Sequence, residues 1–375
     1  MPRSCQVNTP LFISPLLLIS CLTVACEAPN PPSHTRTLNH VPDASRCPEC
    51  RLVFHETAVL GSTSDPASIR PDAMRGCMID SLSTGHFVVS GVVGGGQLLV
   101  YPPEGGSAID TIGRLGQGPG EFGQSVRIIS GPGDTLHVID DANGRLSVVE
   151  RDGTPVRSFP LPDGYGPVVL LPNGQYLFHT TATAGTDGLF HQIDPEGQHI
   201  NSFGYPRDLP YDIDQRVIGP SVNDGFWTAG IWEYVVEART QDSIRFSLAR
   251  SPDWFDQNAP PPEAVVDEIY RSQPPVPLVR SVWEDPIGRL WVYSQVPDPG
   301  WTAGMPVRMS PAWGRNTFDT VVEVIDVHDL AVIVRRRFDE LLGLSCQSHI
   351  AYAVRETPNG DTRLVVFRPE LRGPQ

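Results

Sequence analysis

The sequence predicts an all-β fold, a six-bladed β-propeller of antiparallel four-stranded blades, and three observations lead there. Glycine and proline number 35 and 38, together 73 of 375 residues, which opposes helix interiors and favours short strands with many turns. Strand-turn-strand units recur about 40 to 50 residues apart, the spacing of propeller blades. About 325 residues follow the N-terminal segment, and six blades of about 45 residues need about 270, which leaves room for loop insertions. A hydrophobic share of 40% is too high for a disordered chain. The 43 acidic residues outweigh 28 basic ones, all arginine, for a net charge of −15. Without a concentrated basic surface, nucleic acid is excluded as a partner.

The chain begins with a signal. Arg3 is the only charge in the first 26 residues, and an apolar run from Leu11 to Ala25 follows it. That run falls short of the ~20 residues a membrane span needs, and matches the core of a secretory signal. Cys21 follows Leu18-Ile19-Ser20 and Cys26 follows Thr23-Val24-Ala25; both resemble the bacterial lipoprotein signal, in which the cysteine is acylated. Cys26 ranks ahead of Cys21, since a small residue precedes it and polar sequence, Glu27-Ala28-Pro29-Asn30, follows at once. An ordinary cleaved signal is the alternative. Acyl chains contribute about 0.8 kcal/mol per buried CH₂, so the expectation is a bacterial lipoprotein anchored to a membrane outside the cytoplasm, in the periplasm or at the cell surface. Residues 27–50 read as a Pro-rich tether ending in a CxxC, and residues 51–370 as the propeller.

Four cysteines remain beyond the signal: Cys47, Cys50, Cys77 and Cys346. An even count in an exported domain favours disulfides. Three pairings are open, of which Cys47 with Cys50 and Cys77 with Cys346 is one. Cys47-Pro48-Glu49-Cys50 has redox spacing but lacks a βαβ context, and zinc would need a second close pair.

Residues 134–159, DTLHVIDDANGRLSVVERDGTPVRSF, show a meander most plainly. Leu136–Ile139 and Leu146–Val149 flank a turn carrying Asp140, Asp141, Asn143 and Gly144. A second turn at Asp152-Gly153 leads to a strand from Thr154 to Phe159. Related units run over residues 85–112, 173–203 and 288–334, the last with a longer central insertion.

Residues 116–122, GQGPGEF, followed by a strand and HVIDDANGRLSVVERDG, resemble the exported six-bladed propellers related to the NHL repeat. In that repeat a strand runs into an Asp, with Asn and Arg following; Asp140, Asn143 and Arg145 match. The lipoprotein-like signal, the early CxxC and a strand ending in Leu60-Gly61 are similar to the bacterial members. The likeness is strong over residues 85–205, weaker over 47–84 and 280–370, and poor over 206–279. Ring closure would pair residues 363–368, RLVVFR, with a strand near residue 55, and Cys77 and Cys346 could staple that join.

Asp140, Asp141 and Asn143 lack the ligand number of an EF-hand and read as turn-capping groups. Gly116-Gln117-Gly118-Pro119-Gly120 lacks the Lys of a phosphate loop and reads as a connection between blades. Within the resemblance, Glu121 bonds loop amides and Phe122 packs between sheets. All seven Trp lie between Trp227 and Trp313. Trp283 and Trp291 alternate like buried strand residues, whereas Trp301 and Trp313, among Gly, Pro and Met, are the candidate ligand contacts.

None of the ten His forms a local metal pair, although blades can converge on a channel site, so the metal question stays open. Neither GxSxG nor HExxH occurs, and no motif implies a cofactor or a catalytic residue. The function expected is a scaffold binding an unknown protein, peptide or glycan through loops at one end of the channel. The alternatives are a metal-dependent propeller hydrolase, lactonase or lyase, and a redox or metal-handling protein using Cys47 and Cys50.

Overall fold

The computed structural model describes residues 38–61, 77–90, 95–180, 188–204, 215–222, 225–241, 243–256, 274–303, 317–357 and 361–373. Their strands make six antiparallel sheets, each read from the channel outward. Blade 1 holds Ile79–Ser81, Phe87–Val89, Leu98–Tyr101 and Asp110–Ile112. Blade 2 holds Val126–Ser130, Leu136–Asp140, Arg145–Val149 and Pro155–Pro160. In blade 3 the strands are Tyr165–Leu170, Tyr176–Thr180, Phe190–Ile193 and His199–Phe203, and in blade 4 Arg216–Pro220, Phe226–Gly230, Val235–Arg239 and Ile244–Ala249. Blade 5 is built of Leu278–Glu284, Leu290–Pro297, Phe318–Asp326 and Ala331–Phe338. Blade 6 takes Leu342–Leu344, Ala351–Glu356 and Thr362–Arg372 from the end of the chain and Arg51–Leu60 from its beginning.

The core is six layers, one between each pair of neighbouring blades. Ile112 and Phe122 meet Ile128 and Val138 between blades 1 and 2, and Phe159 meets Tyr176 and Phe178 between blades 2 and 3. Further layers join blades 3 and 4, 4 and 5, and 5 and 6. Leu60, Tyr352 and Leu364 pack on Ile79, Phe87 and Tyr101 to close the ring between blades 6 and 1. A blade held between two neighbours buries both faces, so an inner strand such as Leu136–Asp140 is buried at every position. The outermost strand of the same blade, Pro155–Pro160, faces solvent at most positions. Inner strands therefore read as continuous apolar runs and only outer ones as mixed. Burying each large apolar side chain contributes about 1.5–3 kcal/mol.

Closure is antiparallel pairing of Arg51–Leu60 with Thr362–Arg372, from Arg51 opposite Arg372 to Leu60 opposite Leu364, with a register shift between Glu56 and Ala58. Nearby, Cys77 is bonded to Cys346, joining the approach to blade 1 to blade 6 across 269 residues. At the end of the channel where the innermost strands finish, the buried Asp80 carboxylate of blade 1 accepts the Ser130 amide and hydroxyl of blade 2, both at 2.8 Å, and the Ser348 hydroxyl of blade 6. Burial pushes the Asp80 carboxyl up despite those donors.

Residues 38–50, the described part of the segment expected to be a tether, lie along the outside of the propeller. Asn39–His40 adds a fifth, parallel strand to blade 4. Ser45 bridges to Val332 of blade 5, and the Cys47–Cys50 disulfide closes a turn just before the outer strand of blade 6. Arg250, 1% exposed, fixes this strap by donating to the Val41 and Pro42 carbonyls at 2.9 and 2.6 Å and to Asp43 at 2.9 Å. The same guanidinium pairs with Glu323 of blade 5 at 2.6 Å, and the Tyr234 hydroxyl donates to that carboxylate.

Candidate functional site

A concavity lies in the channel, at the end where the innermost strands begin. It is a cavity of about 620 Å³, and every blade contributes to its wall: Cys77 from the approach to blade 1, Arg127 from blade 2, Val168 from blade 3, Val217 from blade 4, Arg280 from blade 5 and Leu344 from blade 6. Second strands reach it through Tyr293 and Gln295 of blade 5 and Tyr352 of blade 6. A volume in this range suits a small organic ligand.

Two wall features depart from regular blade geometry. The innermost strand pair shifts register between Val279 and Ser281 in blade 5, and between Tyr165 and Val168 in blade 3. The innermost pairs of the other four blades keep their register. A bulge takes one residue out of the strand register and re-aims its side chain; in blade 5 that residue is Arg280. Its side chain is solvent-exposed, yet burial lowers its pKa, with the Tyr352 hydroxyl acting in the opposite direction. The two facts agree when the guanidinium meets water inside the channel and is otherwise surrounded by protein. Arginine keeps its charge in such a setting.

Tyr352 is fully buried, and its hydroxyl has no hydrogen-bond partner among the described residues. Its ring lies against Gly343, where any side chain would meet the Tyr352 ring and hydroxyl at 2.2–2.6 Å. Only glycine lets the backbone of blade 6 approach so closely. Arg127 is held by Asp141 at 2.9 Å and by the Gly166 carbonyl, within the blade 3 bulge, at 3.0 Å. The Tyr165 hydroxyl donates to the same Asp141 oxygen at 2.6 Å, and burial foremost raises the tyrosine's pKa.

The motif residues hold the join of blades 1 and 2. Glu121 accepts the Gln117 and Gly118 amides at 3.1 and 2.8 Å; the Gly118 amide, then the Arg114 guanidinium, hold its carboxyl below the usual range. Phe122 is fully buried between the two blades. Asp140 accepts the Gly123 amide, the Asn143 amide and the Asn143 side chain. Arg145 donates to the carbonyls of Gln117, Gly118 and Glu121.

Trp227 and Trp291 are buried, and Trp283 packs beside Trp291 at the join of blades 5 and 6. Trp301 is half-buried in the connection after the second strand of blade 5 and is not part of the cavity wall. Trp313, Cys21 and Cys26 lie outside the described residues. Cys77 and Cys346 line the cavity as a disulfide, whereas Cys47 and Cys50 are bonded on the outer strap, half-buried. Among the described residues the wall contains no His, Asp or Glu, so the convergent cluster required by a metal-dependent hydrolase or lyase is not among them. Three carboxylates, Asp298, Asp319 and Asp339, do gather on blade 5. Arg337 pairs with Asp319 there, whose carboxyl is raised chiefly by burial. Sequence reasoning missed Arg280, Tyr352, Tyr293 and Gln295; a basic residue inside an otherwise apolar run, PLVRSVW, was the available signal for Arg280.

No family model and no curated protein matches the chain. Among solved structures, a Bacteroides fragilis protein named as exported is 12% identical with a TM-score of 0.54, the match covering 90% of this chain and 99% of that one. A member of the DUF4221 family from Bacteroides vulgatus is 11% identical with a TM-score of 0.57, covering 87% and 99%. Virginiamycin B lyase from Staphylococcus aureus is 9% identical at a TM-score of 0.44, covering 85% and 99%, a likeness too slight to bear on function. At these identities the first two speak to fold alone, and the chain is a six-bladed β-propeller with architecture like theirs.

Proposed function

We propose that this protein is an exported, lipid-anchored propeller that binds a small ligand in the mouth of its channel. The observation that carries the reading is the cavity of about 620 Å³ to which all six blades contribute. Its mixed wall, mostly apolar with a few polar groups, is the usual make-up of a ligand pocket. Export is supported by the signal-like N-terminus and by two disulfides in the domain, which persist outside the cytoplasm. Anchoring is assigned to Cys26, with Cys21 second. Trp301 is the proposed contact for a larger protein, peptide or glycan partner.

The test of the cavity is a fluorescence titration with N-phenyl-1-naphthylamine, a neutral apolar probe. Wild-type protein should bind it saturably, and Ser281→Trp, which fills the cavity from its wall, should abolish the signal. Equal binding by the two proteins would end the proposal. Metabolic labelling with an alkyne-tagged fatty acid tests the anchor: label should be lost in Cys26→Ala. Retention in both Cys26→Ala and Cys21→Ala would refute it.

A further inference from the structure

We infer that the cavity selects an organic anion, a carboxylate carried on an apolar body, with Arg280 meeting the charged group. This deepens the ligand-site reading above and rests on it. The first support is charge. In a chain of net charge −15, the only charged side chains among the described wall residues are Arg127 and Arg280. Arg127, 12% exposed and bonded to Asp141 and the Gly166 carbonyl, shapes the wall, whereas Arg280 is exposed. Arg280 is the guanidinium that the lumen reaches.

The second support is backbone geometry. A regular strand at residues 278–284 would pair each residue in turn; the shift between Val279 and Ser281 takes Arg280 out of that ladder and exposes its side chain to the channel. Bulges of this kind are a recurrent device for aiming a side chain beside a site. The third support is Tyr352. Its hydroxyl is buried, lacks a partner among the described residues, and feels the charge of Arg280. A buried hydroxyl without a partner costs free energy that a ligand acceptor would recover. A guanidinium and a phenol together form a donor pair for a carboxylate, and such charge-assisted bonds strengthen in a dry cavity. Val168, Val217, Ile218, Val279, Phe318 and Leu344 supply the apolar remainder, which asks for a hydrocarbon body.

Displacement of N-phenyl-1-naphthylamine by decanoate, decanol and decyltrimethylammonium separates charge from tail. Decanoate is expected to act at about tenfold lower concentration than decanol, and decyltrimethylammonium to be weakest. Salt should erode the decanoate advantage and leave decanol unchanged, a result that needs no variant. Arg280→Gln should remove the advantage without altering decanol, and Tyr352→Phe should narrow it. Equal potency of decanoate and decanol, preference for the ammonium, or an advantage that survives Arg280→Gln would each overturn the anion assignment while leaving a ligand cavity in place. Failure of the probe to bind wild-type protein would instead bring down the cavity reading, and this inference with it.

Discussion

Blades 2 and 5 share a four-stranded frame and use their polar side chains in opposite ways. In blade 2, Asp140, Asn143 and Arg145 are occupied by backbone groups of their own turn and of the loop arriving from blade 1. In blade 5, Arg280 stands in a bulge and opens on the lumen, with Tyr293 and Gln295 beside it on the next strand. A network that satisfies itself over a few residues leaves a recognisable spacing in the sequence. A site that faces a void draws single residues from distant strands and leaves no spacing. The recognisable residues here are therefore the ones that hold the frame, and the unmarked ones are those that line the channel cavity.

The comparison is sharpest where it predicts unequal losses. Asp140→Ala should be the most damaging change, about 3–5 kcal/mol, because it strands several donors and the nearby Arg145 charge; urea unfolding would measure it, and a loss below about 1 kcal/mol would break the structural half of the contrast. Replacing Cys77 and Cys346 together by serine should lower stability by about 2–4 kcal/mol. That is read from denaturation midpoints of the double variant against wild type, both without reductant.

Acid should act next, at the join of blades 5 and 6. His349 stacks on Trp283 at 3.5 Å and meets Trp291 edge-on; burial pushes its imidazole down to about 3. Its folded pKa thus lies below the unfolded value near 6.5, so the stability it contributes is complete above about pH 6.5 and is lost as pH falls toward 3. The expected loss between about pH 6.5 and pH 4 is on the order of 3 kcal/mol. His349→Phe should flatten the decline, leaving a second contribution from His137, which burial pushes down to about 4. Melting temperatures of both proteins from pH 7 to pH 4 would decide it, and parallel curves would refute the assignment to His349. The smallest effect belongs to Arg280→Gln. Unfolding should shift by less than about 0.5 kcal/mol, since the side chain faces water. A large loss would show that Arg280 supports the frame as Asp140 does.

Much of the frame was legible because its signals are local. The strands expected at Leu136–Ile139, Leu146–Val149 and Thr154–Phe159 are observed at Leu136–Asp140, Arg145–Val149 and Pro155–Pro160, since alternation and Asp/Asn-Gly turns act over a few residues. The expectation of residues 363–368 beside a strand near residue 55 is met by the longer closure pair. Blade 4 was opaque: the connections after Phe226–Gly230 and Val235–Arg239, residues 231–234 and 240–243, carry no glycine to mark a turn. The strap was opaque too, because Asn39–His40 is held by a blade about two hundred residues away and by Arg250. Arg280 and Tyr352 stand on neighbouring blades, too far apart in the chain for a local pattern to link them.

The strap has a mechanical consequence. Tension applied to the chain ahead of Leu38 arrives first at the parallel pairing of Asn39–His40 and at the Arg250 clasp, then at the backbone bonds from Arg46 and Cys47 to blade 5. Only after those have yielded does load reach the hydrogen bonds that keep the ring shut. The contacts along blades 4 and 5 act as strain relief, as a cable clamp shields a soldered joint, so that a pull on Leu38 leaves the channel's shape undisturbed.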